Sequence, residues 1–189
     1  MPTTDTKTLL LREAETFLRT HGYAAFSYAD LSERVGIRKA SIHHHFPTKE
    51  DLGVAVIDTY LERFREDLDA LADKPIDAAA KLAGYGDFFA SSLRDGMMPL
   101  CGALAADASE LPVSMQKRVN KFFQLHLDWL QAIIAEGIRK KELKAEPSAA
   151  RTAVMLLSTL QGASIVAWAL KEPGLIKPAY RQVLETIVR

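Results

Sequence analysis

The sequence predicts an all-α protein, and three observations support that prediction. Apolar residues recur at intervals of three and four along most of the 189 residues, which is the spacing of one helix face. No stretch alternates apolar and polar residues as a half-buried strand requires. The composition, with 48% hydrophobic and 25% charged residues, is that of a globular protein and excludes a disordered chain.

The N-terminal part predicts a first helix over residues 6–20, followed by a second that is capped. Gly22 suits the left-handed backbone position that closes a helix. Ser27 followed three residues later by Asp30 is the arrangement in which each side chain accepts a hydrogen bond from the other's backbone amide. This capping box predicts a short helix that continues through Val35.

A third short helix follows a glycine. Gly36 breaks the helical pattern, and residues 38–46 allow only about two turns before Pro47. Two short helices that flank a glycine-containing turn have the spacing of a helix-turn-helix. Thr48 and Asp51 then repeat the capping pattern and predict a long helix that ends before Pro75.

Beyond Pro75 the composition shifts to alanine and larger apolar residues. Proline and glycine breaks divide this part into five predicted antiparallel helices. They cover residues 77–94, 101–109, 112–140, 148–171 and 178–188. We therefore expect two domains: a three-helix helix-turn-helix domain over residues 1–50, and a helical domain over residues 51–189.

Basic charge is concentrated in the helix-turn-helix, although the whole chain carries 24 basic and 24 acidic side chains. No carboxylate occurs between Glu33 and Glu50. Ile42 and Phe46 are four residues apart and are expected to face inward, which leaves the polar side chains of this helix for DNA. Those side chains are Arg38, Lys39, Ser41, His44 and His45. The alternative is an ordinary solvated helix face.

The three consecutive histidines, His43 to His45, do not predict a metal site. Consecutive helical residues project about 100° apart and cannot chelate one ion together. The sequence predicts no cofactor and no enzyme, because it contains no glycine-rich phosphate loop, nucleophile elbow, His-Glu-x-x-His motif or paired cysteines. The remaining alternative to a DNA-binding protein is an all-α ligand-binding or interaction protein.

Several spaced positions in the first third of the chain form one pattern. They are Gly22-Tyr23, Phe26-Ser27, Leu31-Ser32, Val35-Gly36-Ile37, Ser41-Ile42, His44-His45-Phe46-Pro47, Lys49 and Leu52. This pattern resembles the N-terminal signature of the TetR/AcrR family of repressors. The resemblance implies a homodimer that binds a double-stranded DNA operator and a C-terminal domain that binds a small-molecule effector, which usually releases the DNA.

The resemblance also implies which side chains contact DNA. The phosphate contacts would be Ser27, Tyr28, Ser41, His43 and Lys49, and the base contacts would be Lys39, Ala40 and His44. Three positions depart from the usual residues of the family. Arg38 replaces a capping serine and adds a charge for phosphate or guanine. His43 replaces a tyrosine, which predicts a pH-sensitive contact, and Ala40 replaces a glycine and adds a methyl for thymine.

Candidates for an effector site are aromatic, sulfur-containing and isolated polar residues on the C-terminal helices. They are Phe88, Phe89, Met97, Cys101, Phe122, His126, Trp129, Gln161 and Trp168. Most such residues at helical spacing form ordinary core, and a lone cysteine is usually a small buried hydrophobe. His126 and Gln161 are better markers, because a polar group buried without a partner is costly. A partner within the core is the alternative for both.

Residues 153–170 contain no charge, but their serine, threonine, glutamine and glycine residues make a poor membrane span. We therefore expect no membrane association but a helix buried on two sides, one of them in a homodimer formed through helices 148–171 and 178–188. Tyr180, Val183, Leu184 and Ile187 would complete that interface, or pack within the chain. A single cysteine and the absence of a signal-peptide pattern at the start predict the cytoplasm.

Overall fold

The computed structural model describes residues 5–146 and 148–188, so the first four residues, Pro147 and Arg189 lie outside the described part. The described residues form nine α-helices and no β-strand, which confirms the all-α prediction. The helices are α1 (Thr6–His21), α2 (Tyr28–Val35), α3 (Lys39–His45), α4 (Lys49–Ala72), α5 (Ala78–Arg94), α6 (Leu100–Ala106), α7 (Val113–Arg139), α8 (Ala149–Leu170) and α9 (Ile176–Ile187).

The helices are distributed over two compact units. The first consists of the chain up to Glu62 together with Leu100–Lys121, and the second consists of Arg63–Pro99 together with the chain from Phe122 onward. The helices α4 and α7 each contribute residues to both units. The first unit therefore contains the predicted helix-turn-helix together with α6 and the beginning of α7.

The helix faces predicted from residue spacing are buried. On α1, Leu10, Ala14 and Leu18 are each 0% exposed. On α4 every fourth residue from Leu52 to Leu68 is apolar or aromatic, and each of these side chains is at most 8% exposed. Since side chains four residues apart lie on the same side of a helix, these stripes bury a continuous apolar face.

Two helix boundaries differ by more than one residue from those predicted, and one of them involves a proline. The last helix begins at Ile176 rather than at Pro178. Pro178 is the third residue of α9. An amide hydrogen at that position has no partner within the helix, so a proline, which lacks the hydrogen, loses no helical hydrogen bond there. The predicted helix 101–109 is instead α6, which ends at Ala106, followed by a short 3₁₀ turn at Ala108–Glu110.

The apolar stripe of α9, for which the sequence allowed either a dimer interface or packing within the chain, is buried in the second unit. Tyr180, Leu184 and Ile187 are at most 8% exposed within a single chain. The Tyr180 hydroxyl donates a hydrogen bond to the Leu82 carbonyl at 3.0 Å. This stripe therefore packs against its own chain, and only the half-buried Val183 retains exposed surface.

The helix α8 has one buried side and one exposed apolar side. Leu156, Leu160 and Ala167 are at most 1% exposed, whereas Val166 is 51% and Leu170 is 58% exposed. By length and composition this helix is long and apolar enough to cross a membrane. The buried side packs within the second unit, as expected for the core helix of a globular protein.

Candidate nucleic-acid interface

The start of α2 is fixed by the predicted capping box. The Ser27 backbone amide donates to the Asp30 carboxylate at 2.7 Å, and the Ser27 hydroxyl accepts from the Ala29 amide at 3.2 Å. This exchange satisfies amides that have no partner within the helix. The pKa of Asp30 is lowered by hydrogen bonds from Ser27, so the carboxylate stays ionised at the helix start.

The turn between α2 and α3 requires glycine. Gly36 has φ +74° and ψ +29°, a left-handed conformation that costs glycine little because it has no Cβ. Its amide donates to the Ser32 carbonyl at 2.9 Å, and the Ser32 hydroxyl donates to the Ile37 carbonyl at 2.5 Å. These bonds hold α3 at a defined angle to α2.

The helix α3 has the predicted division into a buried and an exposed side. Ile42 is 0% exposed and the adjoining Phe46 is 4% exposed. The polar and small side chains of this segment point to solvent. The exposed residues are Arg38, Lys39, Ala40, Ser41, His43 and His44, and His45 is half-buried. Arg38 is the N-cap of α3 and makes no capping hydrogen bond through its side chain, which leaves its guanidinium free of that role.

Tyr28 differs from the other predicted phosphate contacts because it is buried. Its hydroxyl lies 2.9 Å from the Phe46 carbonyl and 2.6 Å from the Thr48 carbonyl, to which it donates its single hydrogen. Burial, with the nearby Asp51 carboxylate, raises the pKa of Tyr28 to about 12, so the phenol stays neutral. The side chain therefore joins α2 to the loop before α4, and only its backbone amide remains as a candidate phosphate ligand.

Lys49 lies at the start of α4 between two aromatic rings. Its ammonium is 4.5 Å from the centroid of Tyr23 and 4.5 Å from that of Phe26. Partial burial lowers the pKa of Lys49, and the Asp30 carboxylate opposes this effect. The two ring faces attract the cation and restrict its movement, so the charge has a defined position.

A surface depression of about 590 Å³ brings together five of the predicted DNA contacts. Ser27 and Tyr28 come from α2 and its cap, Lys39 and His43 from α3, and Lys49 from α4. The residues that line it include no carboxylate. A depression with two lysines, a histidine and a helix N-terminus attracts a negatively charged group.

The predicted effector residues are divided between the two units. Cys101 belongs to the first compact unit, is 0% exposed and has a pKa raised by burial, which makes it a poor nucleophile or redox sensor. The other eight lie in the second unit. Within it, Trp168 is 39% exposed and lines a separate surface depression of about 380 Å³ with Leu93 and Lys171.

His126 is the centre of an aromatic cluster in the second unit. It is 0% exposed, its Nδ1 atom is 2.5 Å from the Tyr85 hydroxyl, and its Nε2 atom is buried without a hydrogen-bond partner. Burial lowers the pKa of His126 to about 3, so the imidazole is neutral. The surrounding rings are those of Phe64, Phe89 and Phe122, with ring centroids 4.0 to 6.0 Å from that of His126.

The remaining candidates lie around this cluster or away from it. The Trp129 ring stacks on Tyr85, and its indole donates to the Leu68 carbonyl at 3.1 Å. Phe88 contacts the Phe64 ring. Met97 is half-buried, and the Nε2 atom of Gln161 is buried without a hydrogen-bond partner. Sequence reasoning missed Tyr85 and Phe64. Tyr85 carried a detectable signal, since it lies three residues after Leu82 and four before Phe89, on the apolar face of α5.

The short α2, the glycine turn and the exposed basic helix α3 define a helix-turn-helix DNA-binding protein. Residues 10–56 match the family model described as bacterial regulatory proteins of the tetR family. The regulator CymR of Pseudomonas putida is 30% identical over 144 residues, which cover 73% of this chain and 70% of that protein. The repressor ComR of Escherichia coli (strain K12) is 27% identical over 157 residues, covering 78% of this chain and 72% of that protein.

Solved structures agree over nearly the whole chain. A TetR-family transcriptional regulator from Agrobacterium tumefaciens has a TM-score of 0.93 and 31% identity, with 97% of each chain covered. A TetR transcriptional regulator from Legionella pneumophila has a TM-score of 0.90 and 29% identity, covering 99% of this chain and 100% of that one. The chain belongs to the TetR family of helix-turn-helix transcriptional regulators. Members of this family are regulators and not enzymes.

Proposed function

We propose that this protein is a cytoplasmic, ligand-responsive repressor that binds a palindromic operator as a homodimer and is released by a small molecule. Residues 1–50 would form the DNA-binding domain, and residues 51–189 would bind the effector and dimerise. The observation that supports DNA binding most directly is the depression lined by Ser27, Lys39, His43 and Lys49, which adjoins the exposed side of α3. Membership of the TetR family supports the same function.

The exposed residues of α3 are proposed for two roles. Arg38, Lys39 and Ala40 stand at or near the start of the helix, and a recognition helix contacts base edges chiefly with its N-terminal residues. His44 stands near the end of the helix, and its proposed base contact rests on the resemblance to the family. The phosphate ligands would be Ser27, the backbone amide of Tyr28, Ser41, His43 and Lys49, and His45 would be a further DNA contact. Phosphate contacts fix the position of the protein on DNA, whereas base contacts select the sequence.

Selection from a randomised duplex library, with sequencing of the retained fraction, tests sequence-specific DNA binding. We expect a palindrome whose half-sites lie roughly 34 to 36 Å apart, bound with a Kd between about 10⁻¹¹ and 10⁻⁸ M. Binding no tighter than about 10⁻⁶ M with no enriched sequence would contradict the proposal.

Two lysine variants separate base reading from phosphate binding. Lys39→Ala should relax the preference at one base position, with a loss of about 1 to 3 kcal/mol for the preferred base. Lys49→Ala should weaken binding to all sequences similarly and reduce the salt slope by about one. Lys117→Ala, which removes an exposed lysine of α7 outside the depression, is the control and should leave both properties unchanged.

The exposed side of α8 supports a homodimer through the helices predicted for it, 148–171 and 178–188. Val154 is 52%, Ile165 is 56% and Val166 is 51% exposed in the single chain. Contiguous exposed apolar surface of this kind marks an interaction site. The exposed Ser158 and Gly162 lie on the same helix and would allow two copies of it to approach closely.

The aromatic cluster around His126 supports an effector site in the second unit. A buried nitrogen without a partner costs about 1 to 3 kcal/mol, so a small molecule that supplies a hydrogen bond to Nε2 removes that cost. Because the imidazole is neutral and the surrounding side chains are aromatic, the favoured effector is an uncharged, largely apolar compound with a polar group. The continuous helix α4 carries both Phe64, whose ring stacks on His126, and Lys49 of the DNA-binding depression.

A thermal-shift screen of small uncharged aromatic compounds, followed by DNA titration, tests the effector proposal. A true effector should raise the melting temperature of the wild type and weaken DNA binding by the coupling energy typical of allostery, about 1 to 3 kcal/mol. It should not stabilise His126→Phe, which keeps an aromatic ring but lacks the nitrogen. Equal stabilisation of both proteins would contradict the assignment of His126.

A further inference from the structure

His43 has only one ring nitrogen available to an external group. Its Nδ1 atom lies 3.1 Å from the Pro47 carbonyl oxygen. A carbonyl oxygen only accepts hydrogen bonds, so Nδ1 must carry the hydrogen. In a neutral imidazole the other nitrogen, Nε2, then has a lone pair and no hydrogen. The neutral side chain can therefore offer the depression an acceptor but not a donor.

A DNA phosphate requires a hydrogen-bond donor. Phosphodiester oxygens carry negative charge and only accept hydrogen bonds, so they do not pair with the lone pair of neutral Nε2. The imidazolium form has a hydrogen on both nitrogens and a positive charge. It keeps the bond to Pro47 through Nδ1 and gains a charge-assisted bond to phosphate through Nε2.

We propose that His43 binds the DNA phosphate only in its protonated form, so that each DNA-binding domain takes up a proton when it binds DNA. This inference rests on the proposed DNA-binding function, and it adds a dependence on pH that the two lysines of the depression do not provide.

The depression contains no carboxylate that could pair with His43. Lys39 and Lys49 line it together with His43, and no Asp or Glu does. Asp30 and Asp51 each take part in a capping box, at the start of α2 and of α4 respectively. The phosphate brings the negative charge that favours the imidazolium.

Tyr28 contacts His43 but adds no charge beside it. It contacts the His43 ring edge-on, with the centroids 4.8 Å apart. Its hydroxyl is neutral, since the pKa of Tyr28 is raised to about 12, and its hydrogen is donated to backbone carbonyls. Tyr28 therefore supplies neither a negative charge nor a free donor to His43.

The direction of the pH effect follows from proton linkage. The complex holds a proton that the free protein does not. DNA affinity is therefore highest at low pH and falls as the pH rises through the range in which histidine loses its charge. Within that range the affinity falls by at most about tenfold per pH unit for each His43, or about a hundredfold for a dimer with both domains bound. Once the imidazole is neutral in the complex as well, the affinity levels off at the value set by the other contacts.

Fluorescence anisotropy with a labelled duplex tests this dependence. Phosphate contacts are independent of sequence, so a mixed-sequence duplex of roughly 30 base pairs, about three helical turns, is a sufficient probe. The titrations run from about pH 6 to about pH 8.5, across the range in which histidine changes charge, at fixed low ionic strength. The wild type, His43→Gln and His44→Gln are compared.

The glutamine variants distinguish His43 from its neighbour. The Gln side chain donates an N–H at every pH, so His43→Gln should lose the steep pH dependence and bind more tightly than the wild type at the highest pH. His44→Gln removes an exposed histidine of the same helix and should keep the dependence, even if its affinity falls. The same slope in the wild type and His43→Gln would overturn the inference while leaving DNA binding intact. No binding by any protein at any pH would overturn the proposed function and this inference together.

A nuclear magnetic resonance titration gives a readout independent of affinity. In the free protein the imidazole ¹⁵N shifts of His43 should identify hydrogen on Nδ1 in the neutral form. Addition of the duplex should shift the titration midpoint of His43 to higher pH. A hydrogen on Nε2 in the neutral form, or a midpoint that DNA does not raise, would contradict the proposal.

Discussion

Substitution of Tyr28 by phenylalanine separates structural support from DNA contact at the start of α2. The hydroxyl donates one hydrogen to a site between the Phe46 and Thr48 carbonyls, 2.9 Å and 2.6 Å away. A neutral hydrogen bond contributes about 0.5 to 1.5 kcal/mol net, and a buried acceptor left unpaired costs about 1 to 3 kcal/mol. The Thr48 carbonyl still accepts from the Leu52 amide at 3.2 Å. The acceptor left without a hydrogen bond is therefore mainly the Phe46 carbonyl. We expect the free energy of unfolding to fall by about 1 to 2 kcal/mol.

Thermal or urea unfolding measures this loss, which corresponds to a fall in Tm of roughly 2 to 8 °C for a chain of this size. The control is Tyr23→Phe, the same chemical change in a residue whose hydroxyl has no hydrogen bond within the described part of the chain. The ring of Tyr23 lies beside Lys49 and is preserved by the substitution. Tyr23→Phe should change stability by less than about 0.5 kcal/mol.

DNA titration at a temperature where both variants are folded completes the test. Because the Tyr28 hydrogen is already donated within the protein, its removal should change affinity by less than about threefold. A direct bond to phosphate would instead contribute about 1.5 to 3 kcal/mol, more than a tenfold change. Unchanged stability with a tenfold loss of affinity would refute the structural interpretation of Tyr28.

Three further predictions concern the second unit. Gly86→Ala places a Cβ 2.6 Å from the ring of Tyr180 and should lower the free energy of unfolding, measured in urea, by about 1 to 3 kcal/mol. Gly174→Ala is the control and should be nearly neutral, because its added Cβ would meet nothing within 4 Å beyond the adjoining residues. Val166→Glu should shift the protein from dimer to monomer in sedimentation velocity, because it buries a charge in the proposed α8 interface; an unchanged sedimentation coefficient would argue for another interface. The pKa of His126 is about 3, below the ordinary 6.5, so the free energy of unfolding should fall as the pH drops below about 6.5, and His126→Gln should remove that part of the pH dependence.

Local chemistry was sufficient to predict most of the fold. The capping boxes at Ser27 and Thr48 and the left-handed turn at Gly36 depend on residues at most five apart, so the local sequence is sufficient to predict them. The buried stripes of α1 and α4 follow from helical periodicity for the same reason. The exposed side of α3 was predictable because Ile42 and Phe46 identify the opposite, buried side.

The roles of individual side chains in the candidate sites required the tertiary structure. The partner of the Tyr28 hydroxyl is 18 residues away, and the partner of His126 is 41 residues away. No periodic pattern encodes such distant pairs. The same limit applies to α9, whose apolar stripe fits an interface between two chains or packing within one. The structure assigns Tyr180 and its neighbours to the chain's own core.

His43 combines both kinds of information. The sequence, through its resemblance to the TetR/AcrR family, predicted that His43 would make a pH-sensitive contact with phosphate. Only the tertiary structure decided which of its nitrogens is free, because the Pro47 carbonyl approaches Nδ1 through the loop that follows α3. The residue type sets the range of pH in which charge changes, whereas the position of one acceptor in space sets which protonation state can bind an anion.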